Sequence, residues 1–494
     1  MNLGEILSGV ALHQPLAPEL AQVEIAAIEF DSRRVSAGTL FFAFPGSKAD
    51  GRQFADDALA HGAVAVISES PAPPEFAGRW LQVTHGRQAL SLAARNFYGR
   101  PDERLFLTGI TGTNGKTTTA YLIDSVLRAG GKTTAMIGTI EYHLAGQVRK
   151  AVNTTAESLD LMRLFAELES LGGTHVTMEV SSHALALGRV YGVNFHTTLF
   201  SNLTRDHLDF HHDMEAYFAA KQLLFEGAGG APPRYAVLNR DDEWARRIKV
   251  KAGTEVMWYG LGPDAALRPR HIASGFNGLR FDLQYGKQRL PIESPLIGKI
   301  NVYNILAACA AGLSYGLAPE VIARGIADLK AVPGRFERVD EGQPFVVVVD
   351  YAHTDDALRN VISVARGLSP KRVITLFGCG GDRDRTKRPL MGQAAAEASD
   401  FVVLTSDNPR SEDPLAIMND ALVGIRRTDV PHVVEPDRKA AILRALKEAR
   451  EGDIVILAGK GHETYQVLKD KTIDFDDRAV AREVLKGYGY HKTQ

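Results

Sequence analysis

Four runs in the last third of the chain, FVVVVD, RVITLFG, DFVVLTSD and DIVILAGKG, are almost unbroken series of Val, Ile, Leu and Phe, and they leave few choices of fold. A strand with one wet face alternates polar and apolar residues, whereas a run without alternation must be covered on both faces. The segments between the runs carry helical patterns, so a parallel sheet with helices on either side is expected. Each run also ends in a polar cluster: DYAHTDD, GCGGDRDRTKR, SDNPR and GKGHE. In open parallel sheets ligands lie beyond the carboxyl ends of the strands. The four clusters should therefore share one rim.

At 494 residues the chain is too long for a single core. YGRPDERL, with Gly99 and Pro101, and VPGRFERVD, with Pro333 and Gly334, read as linkers. The expected domains are 1–98, 99–332 and 333–494, all α/β, since strands and amphipathic helices alternate from Leu105 to Ala331 as well. Lys+Arg 57 against Asp+Glu 59 leaves no basic field for nucleic acid and no polybasic membrane tail. Cys309 and Cys379 match no metal spacing and fit a reducing compartment. The start, MNLGEILSGVALHQP, is neither a signal peptide nor an anchor, and no apolar stretch reaches the ~20 residues that cross a bilayer. A soluble, cytoplasmic, monomeric protein acting on small molecules is expected.

LFLTGITGTNGKTTTAYLIDSVL reads as a strand, a glycine-rich turn and a helix opening at Lys116. Backbone N–H groups from Thr111, Gly112, Thr113, Asn114 and Gly115 can surround phosphate oxygens, and the helix N-terminus adds a favourable field. Lys116 would reach the terminal phosphates of ATP, and the Thr117 hydroxyl would hold Mg²⁺. Ile110 stands where the strict P-loop pattern has its first glycine. Glu179 ends the strand THVTME, well placed to complete Mg²⁺ coordination. His207 lies between Asp206 and Asp209 in LTRDHLDFHHD. Lys221, in MEAYFAAKQLLFEG, shares an apolar helix face with Tyr217, Leu224 and Phe225. Two readings of it stay open. Its stem can be buried with the head in water, or the head can point inward, where a bare ammonium is costly and CO₂ would convert it to an anionic carbamate.

In order along the chain, TGTNGKTTT, NTT (Asn153 to Thr155), EVSSHAL, NLTRDHLDFH, AYFAAKQLLF, LNRDD, GKINVYN, VPGRFE, DYAHTDDAL, FGCGGDRDRTKRPLMG, DNPR and GKGHE resemble the Mur ligase family. That family builds the peptide of bacterial peptidoglycan precursors, and so serves cell-wall biogenesis, cell shape and division. The resemblance covers essentially the whole chain. It implies three domains: 1–98 receiving the UDP end, a P-loop ATPase-like centre, and a Rossmann-like C-terminal domain bringing the amino acid. It implies that Lys221 is carbamylated, that Thr117 and Glu179 hold one Mg²⁺, and that Lys221 and His207 hold another. Asn301 and Asn304 match adenine contacts, and Asp350 and His353 a nucleotide-binding loop. Ser32, in DSR, and the GSKADG loop match the UDP region. Asn153, Thr154, Thr155, Ser181 and Arg189 match contacts to the sugar-peptide. Some relatives have Gln where Leu187 stands, so no polar contact is carried over there.

The implied reaction is ATP-dependent amide formation. The γ-carboxylate of UDP-MurNAc-L-Ala-D-Glu attacks the γ-phosphate, and an amine of meso-2,6-diaminopimelate then displaces phosphate from the acyl phosphate. Lys116, Glu179, His207 and Lys221 are the expected catalytic group, with His207 or a metal-bound oxygen taking the amine proton. The loop LTSDNPRSEDP then acquires a purpose: Arg410 offers a planar fork to the distal carboxylate of diaminopimelate. Glu463 would take the distal ammonium, Asp407 and Asn408 would fix the loop around Pro409, and Arg383 and Gly459 would complete the pocket. Lysine lacks that carboxylate and would leave Arg410 unpaired. Within the family, DNPR accompanies diaminopimelate. The alternatives are a lysine-adding ligase, a folylpolyglutamate synthetase, or a P-loop ATPase or switch. The DNPR and GCGGDRD loops argue against the first two, and a switch would leave the four-cluster rim unexplained. Linkers at 99–101 and 332–334 suit hinge closure.

Overall fold

The computed structural model describes residues 1–46, 49–276 and 278–491, so Ser47 and Lys48 of the GSKADG loop lie outside the described residues. Its architecture is three α/β units, each built on its own sheet. In the first, strands β1 (Ala27–Glu29), β2 (Thr39–Phe42), β3 (Ala63–Ser68) and β4 (Trp80–Gln82) pair in parallel and in sequence order. Leu40 and Phe42 enter one core while Phe41 enters another, as the two-residue period of a strand dictates.

The central sheet contains β5 (Phe106–Thr111), β6 (Thr134–Ile137), β7 (Glu141–Leu144), β8 (Gln147–Lys150), β9 (His175–Glu179), β10 (Thr197–Phe200), β11 (Tyr235–Asn239), β12 (Glu255–Tyr259), β13 (Leu267–Gly275), β14 (Gly278–Tyr285) and β15 (Gln288–Ser294). Its order is β15-β14-β13-β12-β11-β10-β5-β9-β6-β7-β8. The middle is parallel, and antiparallel strands extend both edges. Consequently the carboxyl ends of the neighbouring strands β9, β5 and β10 deliver Glu179, the glycine-rich turn and Ser201-Asn202 to one place.

The third sheet holds β16 (Glu337–Val339), β17 (Val346–Asp350), β18 (Val373–Cys379), β19 (Phe401–Ser406), β20 (His432–Glu435) and β21 (Ile454–Ala458), ordered β16-β17-β21-β18-β19-β20. Only β16 runs antiparallel to its neighbour. Val348, Phe377, Leu404 and Ile456 face one helical layer, and Val349, Leu376, Val403 and Leu457 face the other. The unbroken runs record this two-sided burial. A short antiparallel pair, β22 (Tyr465–Val467) and β23 (Thr472–Asp474), follows.

The two junctions differ. Leu3, Ile28, Leu90 and Ala93 of the first unit share one apolar cluster with Leu107, Leu159, Phe165 and Leu203 of the second. Across the linker Arg95 and Asp102 form an ion pair at 2.9 Å, Asp102 also accepts from Asn194 N at 3.0 Å, and Ser91 Oγ donates to Tyr191 O at 2.6 Å. A continuous apolar core and a buried pair thus close this junction, where the linker at 99–101 had suggested a hinge. The third unit meets the second through polar contacts, Lys387 Nζ to Asp206 Oδ1 at 2.6 Å and Asn114 Nδ2 and Thr204 Oγ1 to Asp356 Oδ2 at 2.9 and 3.0 Å, and through Ile297, which packs against the third unit's apolar core.

At the opposite ends of the central strands, the rings of Phe106 and His175 are 5.1 Å apart, those of His175 and Tyr315 4.9 Å, and those of His196 and Tyr315 4.7 Å. Burial, aided by the charge of Lys132 on His175 and of Arg234 on His196, pushes both imidazoles down from 6.5 to about 4. The unfolded chain takes up these protons near pH 6.5 and the folded chain only near pH 4, so stability declines as pH falls through that window. For His175 the shift corresponds to roughly 3 kcal/mol. His175→Gln is expected to show a shallower fall of Tm across this window than the parent protein. Equal slopes would show that His175 contributes nothing to acid lability.

Candidate active site

The glycine-rich turn is fixed from the end of β10. Asn202 Oδ1 accepts from Asn114 N, and Asn202 Nδ2 donates to Asn114 O, both at 3.0 Å. The helix Lys116–Ala129 begins at Gly115, whose φ is +88°, and a Cβ there would lie 2.5 Å from Asn304 Oδ1. Only glycine meets both demands. Lys116 folds back, donating to Gly112 O at 3.0 Å and Thr113 O at 2.9 Å, and burial lowers its pKa against the opposing charges of Glu179 and Asp206. Backbone N–H groups, a helix N-terminus and an ammonium thus converge as an anion cradle.

The cradle opens into a cleft of about 300 Å³ between the second and third units. Thr113 to Thr117, Thr154, Glu179, Ser181, His207, Asn301 and Asn304 line it from one side, and Asp350 and His353 from the other. Asn304 Nδ2 donates to Asn301 Oδ1 at 2.8 Å, and Asp350 Oδ2 accepts from Phe336 N at 2.7 Å. Burial raises the Asp350 pKa against the pull of Arg335. Glu179 is held by Thr139, whose N donates to Oε1 at 2.9 Å and whose hydroxyl donates to Oε2 at 3.1 Å.

Lys221 points inward, which excludes the reading with its head in water. Its side chain is 1% exposed, its Nζ donates to Gly112 O at 2.8 Å, and it lies 4.5 Å from the Tyr217 ring centre. Burial first, and the charge of Lys116 second, hold its pKa well below 10.5. Among the described residues no carboxylate pairs with it. His207, at φ +53°, has Nε2 3.3 Å from Asp206 Oδ2 and its ring 4.8 Å from that of His183. Burial pushes His207 down to about 4 despite Asp206, so its imidazole is neutral near pH 7. Burial would raise the Asp206 pKa, but His207 and Lys387 hold the carboxyl below the usual range.

Not every predicted contact faces the cleft. The Thr155 hydroxyl donates to Glu179 O at 2.9 Å and accepts from Ser181 N at 3.0 Å, so it fastens the end of β9. Arg189 Nη1 donates to Thr155 O at 3.0 Å, and the exposed Asn153 bonds Tyr142 through its backbone. Ser32 is buried on a short turn of the first unit, away from this cleft.

The four polar clusters of the third unit do meet. Gly459 N donates to Asp350 O at 3.0 Å, Gly381 N to Asn408 O at 2.9 Å, Arg410 Nη1 to Gly381 O at 2.8 Å, and Asn408 Nδ2 to Glu463 Oε2 at 3.0 Å. Gly459 has φ +112°, and a Cβ there would lie 2.7 Å from Asp407 Oδ2. Arg410, following Pro409, also has a positive φ, +53°. Arg383 is exposed. This rim joins the cleft through Lys387, at the end of the GGDRDRTK loop, and Asp206, beside His207. Sequence reasoning gave no role to Lys387, Asp356, Arg335 or Lys460. Arg335 Nη2 donates to Thr117 Oγ1 at 3.3 Å, and Lys460 Nζ donates to Asn408 and Glu463. All four sit inside the motifs DYAHTDDAL, FGCGGDRDRTKRPLMG, VPGRFE and GKGHE, a signal that could have found them.

Three family models match the chain: the Mur ligase family catalytic domain over residues 24–98, the Mur ligase middle domain over 110–312, and the Mur ligase glutamate ligase domain over 334–461. The chain is 82% identical, over 494 residues and the full length of both proteins, to the UDP-N-acetylmuramoyl-L-alanyl-D-glutamate–2,6-diaminopimelate ligase of Solibacter usitatus. It is 46% identical over 470 residues to the ligase of the same name from Geobacillus kaustophilus, covering 94% of this chain and 96% of the relative. A solved structure of a ligase with that name superposes with a TM-score of 0.71 at 33% identity, covering 99% of each chain.

Proposed function

The chain belongs to the Mur ligase family, and from that premise we propose that it joins meso-2,6-diaminopimelate to UDP-MurNAc-L-Ala-D-Glu with cleavage of ATP, a step of peptidoglycan precursor synthesis in the cytoplasm. The observation that carries this reading is the rim on which Arg410 and Glu463 are tied together through Asn408 and Gly381. A guanidinium and a carboxylate so linked complement a carboxylate and an ammonium borne on one carbon, as at the distal end of diaminopimelate.

The residues divide the work by chemistry. The turn Thr111 to Gly115 and Lys116 bind the phosphates, with Asn301, Asn304, Asp350 and His353 enclosing the rest of the nucleotide. Thr154 and Ser181 face the cleft where the D-glutamyl carboxylate meets the γ-phosphate, while Thr155 and Arg189 fasten the backbone behind it. The γ-carboxylate oxygen bonds to phosphorus as the bond to ADP breaks, and the neutral amine then bonds to the acyl carbon, giving up a proton to His207 or to solvent as phosphate leaves. Lys387 on Asp206 holds the amino-acid rim against the phosphate cradle, which serves attack by proximity.

Thr117 and Glu179 are hard oxygen donors on the cleft wall and fit one Mg²⁺. A second ion fits only if Lys221 carries an anion, with neutral His207 beside it. The buried amine favours that change, since only the neutral nitrogen adds to the carbon of CO₂, forming a C–N bond and releasing a proton. Among the described residues no cluster of three or more His, Cys, Asp or Glu could hold a metal by itself, in keeping with ions shared between protein and phosphate. Bound there, Mg²⁺ supplies charge neutralisation for the transferring phosphoryl group.

Among the described residues no helix is long and apolar enough to cross a membrane. The direct test is phosphate release from ATP by purified protein. Turnover is expected only with UDP-MurNAc-L-Ala-D-Glu and diaminopimelate both present. Full turnover with neither would sink the reading and favour a nucleotide switch.

A further inference from the structure

Lys460 follows β21 between two glycines, and its side chain is fully buried. Its Nζ donates to Asn408 Oδ1 at 3.2 Å and to Glu463 Oε2 at 3.0 Å, and lies 5.6 Å from the Tyr465 ring centre. Asn408 Oδ1 also accepts from Val467 N at 2.9 Å, while Asn408 Nδ2 donates to Glu463 Oε2 at 3.0 Å. The amide therefore has one orientation, because its oxygen answers two donors and its nitrogen one acceptor. Glu463 Oε2 receives two of these bonds. Among the described residues nothing donates to Oε1, although a carboxylate accepts through both oxygens.

We propose that Lys460 is a positioning residue of the amino-acid pocket, fixing the Asn408 amide and occupying Oε2 of Glu463 so that Oε1 faces the distal ammonium of the substrate. The proposal rests on the diaminopimelate reading given above. A buried ammonium needs compensation, and here the compensating groups are the ones expected to meet substrate. Without Lys460 the Glu463 carboxylate loses one of the two bonds that fix its direction, and the Asn408 amide one of the two donors that fix its own.

Steady-state kinetics on the full-length enzyme tests this with Lys460→Met, Glu463→Gln and the double variant. Loss of a charge-assisted bond predicts that Lys460→Met raises the KM for diaminopimelate about tenfold to a hundredfold. The KM values for ATP and UDP-MurNAc-L-Ala-D-Glu should stay within about twofold. Because Lys460 acts through Glu463, the double variant should be no worse than Glu463→Gln alone. An unchanged diaminopimelate KM, additive effects, or a parallel drift of all three KM values would overturn the proposal. Lys460→Gln keeps two N–H donors and serves if the Met variant does not fold. If neither folds, Lys460 is framework and the proposal fails. A parent enzyme that ignores diaminopimelate would instead overturn the functional reading, and the unmutated control reports that separately.

Discussion

Lys221→Ala is expected to lose nearly all ligation, by roughly two to three orders of magnitude in kcat, the scale on which removal of one electrostatic stabiliser acts. Its amine is buried against Gly112 O and the Tyr217 face, with no carboxylate partner among the described residues. Such a group is costly as an ammonium and ready for CO₂ as a free amine. Alanine removes the amine that would carry the proposed carbamate but not the pocket, so a short carboxylate such as acetate or formate should restore part of the activity. Since the phosphate cradle is made by the turn and Lys116, ATP binding should survive. An Ala variant fully active at neutral pH would reject the carbamate role. Loss of ATP binding in parallel with activity would mean that Lys221 shapes the turn instead.

Arg410→Ala is expected to raise the KM for diaminopimelate by about thirty- to a hundredfold, the effect of losing a bidentate charged contact, while the KM for ATP barely moves. The left-handed backbone at Arg410 complicates this substitution, because alanine at φ +53° carries strain of its own. Arg410→Gly relieves the strain and equally lacks the guanidinium. If the fork is responsible, both variants lose diaminopimelate to a similar degree, and the parent enzyme prefers it strongly over lysine in competition. Recovery in the Gly variant would assign the loss to the backbone. An unchanged KM in both would refute the pairing.

The parts of the molecule that the sequence made legible are those where one residue's surroundings are recorded nearby in the chain. Val346 to Val349 had to be buried on both faces because no polar residue interrupts them, and they are divided between two cores. Lys221 shares its helix face with Tyr217 and Leu224, so its inward direction was one of two open readings. What stayed hidden depends on distant partners. Gly99, Arg100 and Pro101 look like a flexible joint, and nothing local reveals that Asp102 is locked to Arg95 and Asn194. Thr155 stands among residues matched to substrate, yet the end of β9 consumes its hydroxyl. Lys387 and Asp206 are 181 residues apart and belong to different units. Lys460 gave no periodic signal because glycines flank it on both sides.

The unlike junctions have a consequence for turnover. Parting the first and second units would wet a greasy interior, a lasting penalty, so those two travel as a single body. Between the second and third units the apolar clusters are separate, Ile297 alone being named at the edge of the third unit's core, and water readily solvates the ionic and amide groups that touch there once they separate. Nucleotide and amino acid can thus enter, and product depart, through a mouth whose gaping exposes less oil than parting the first two units would.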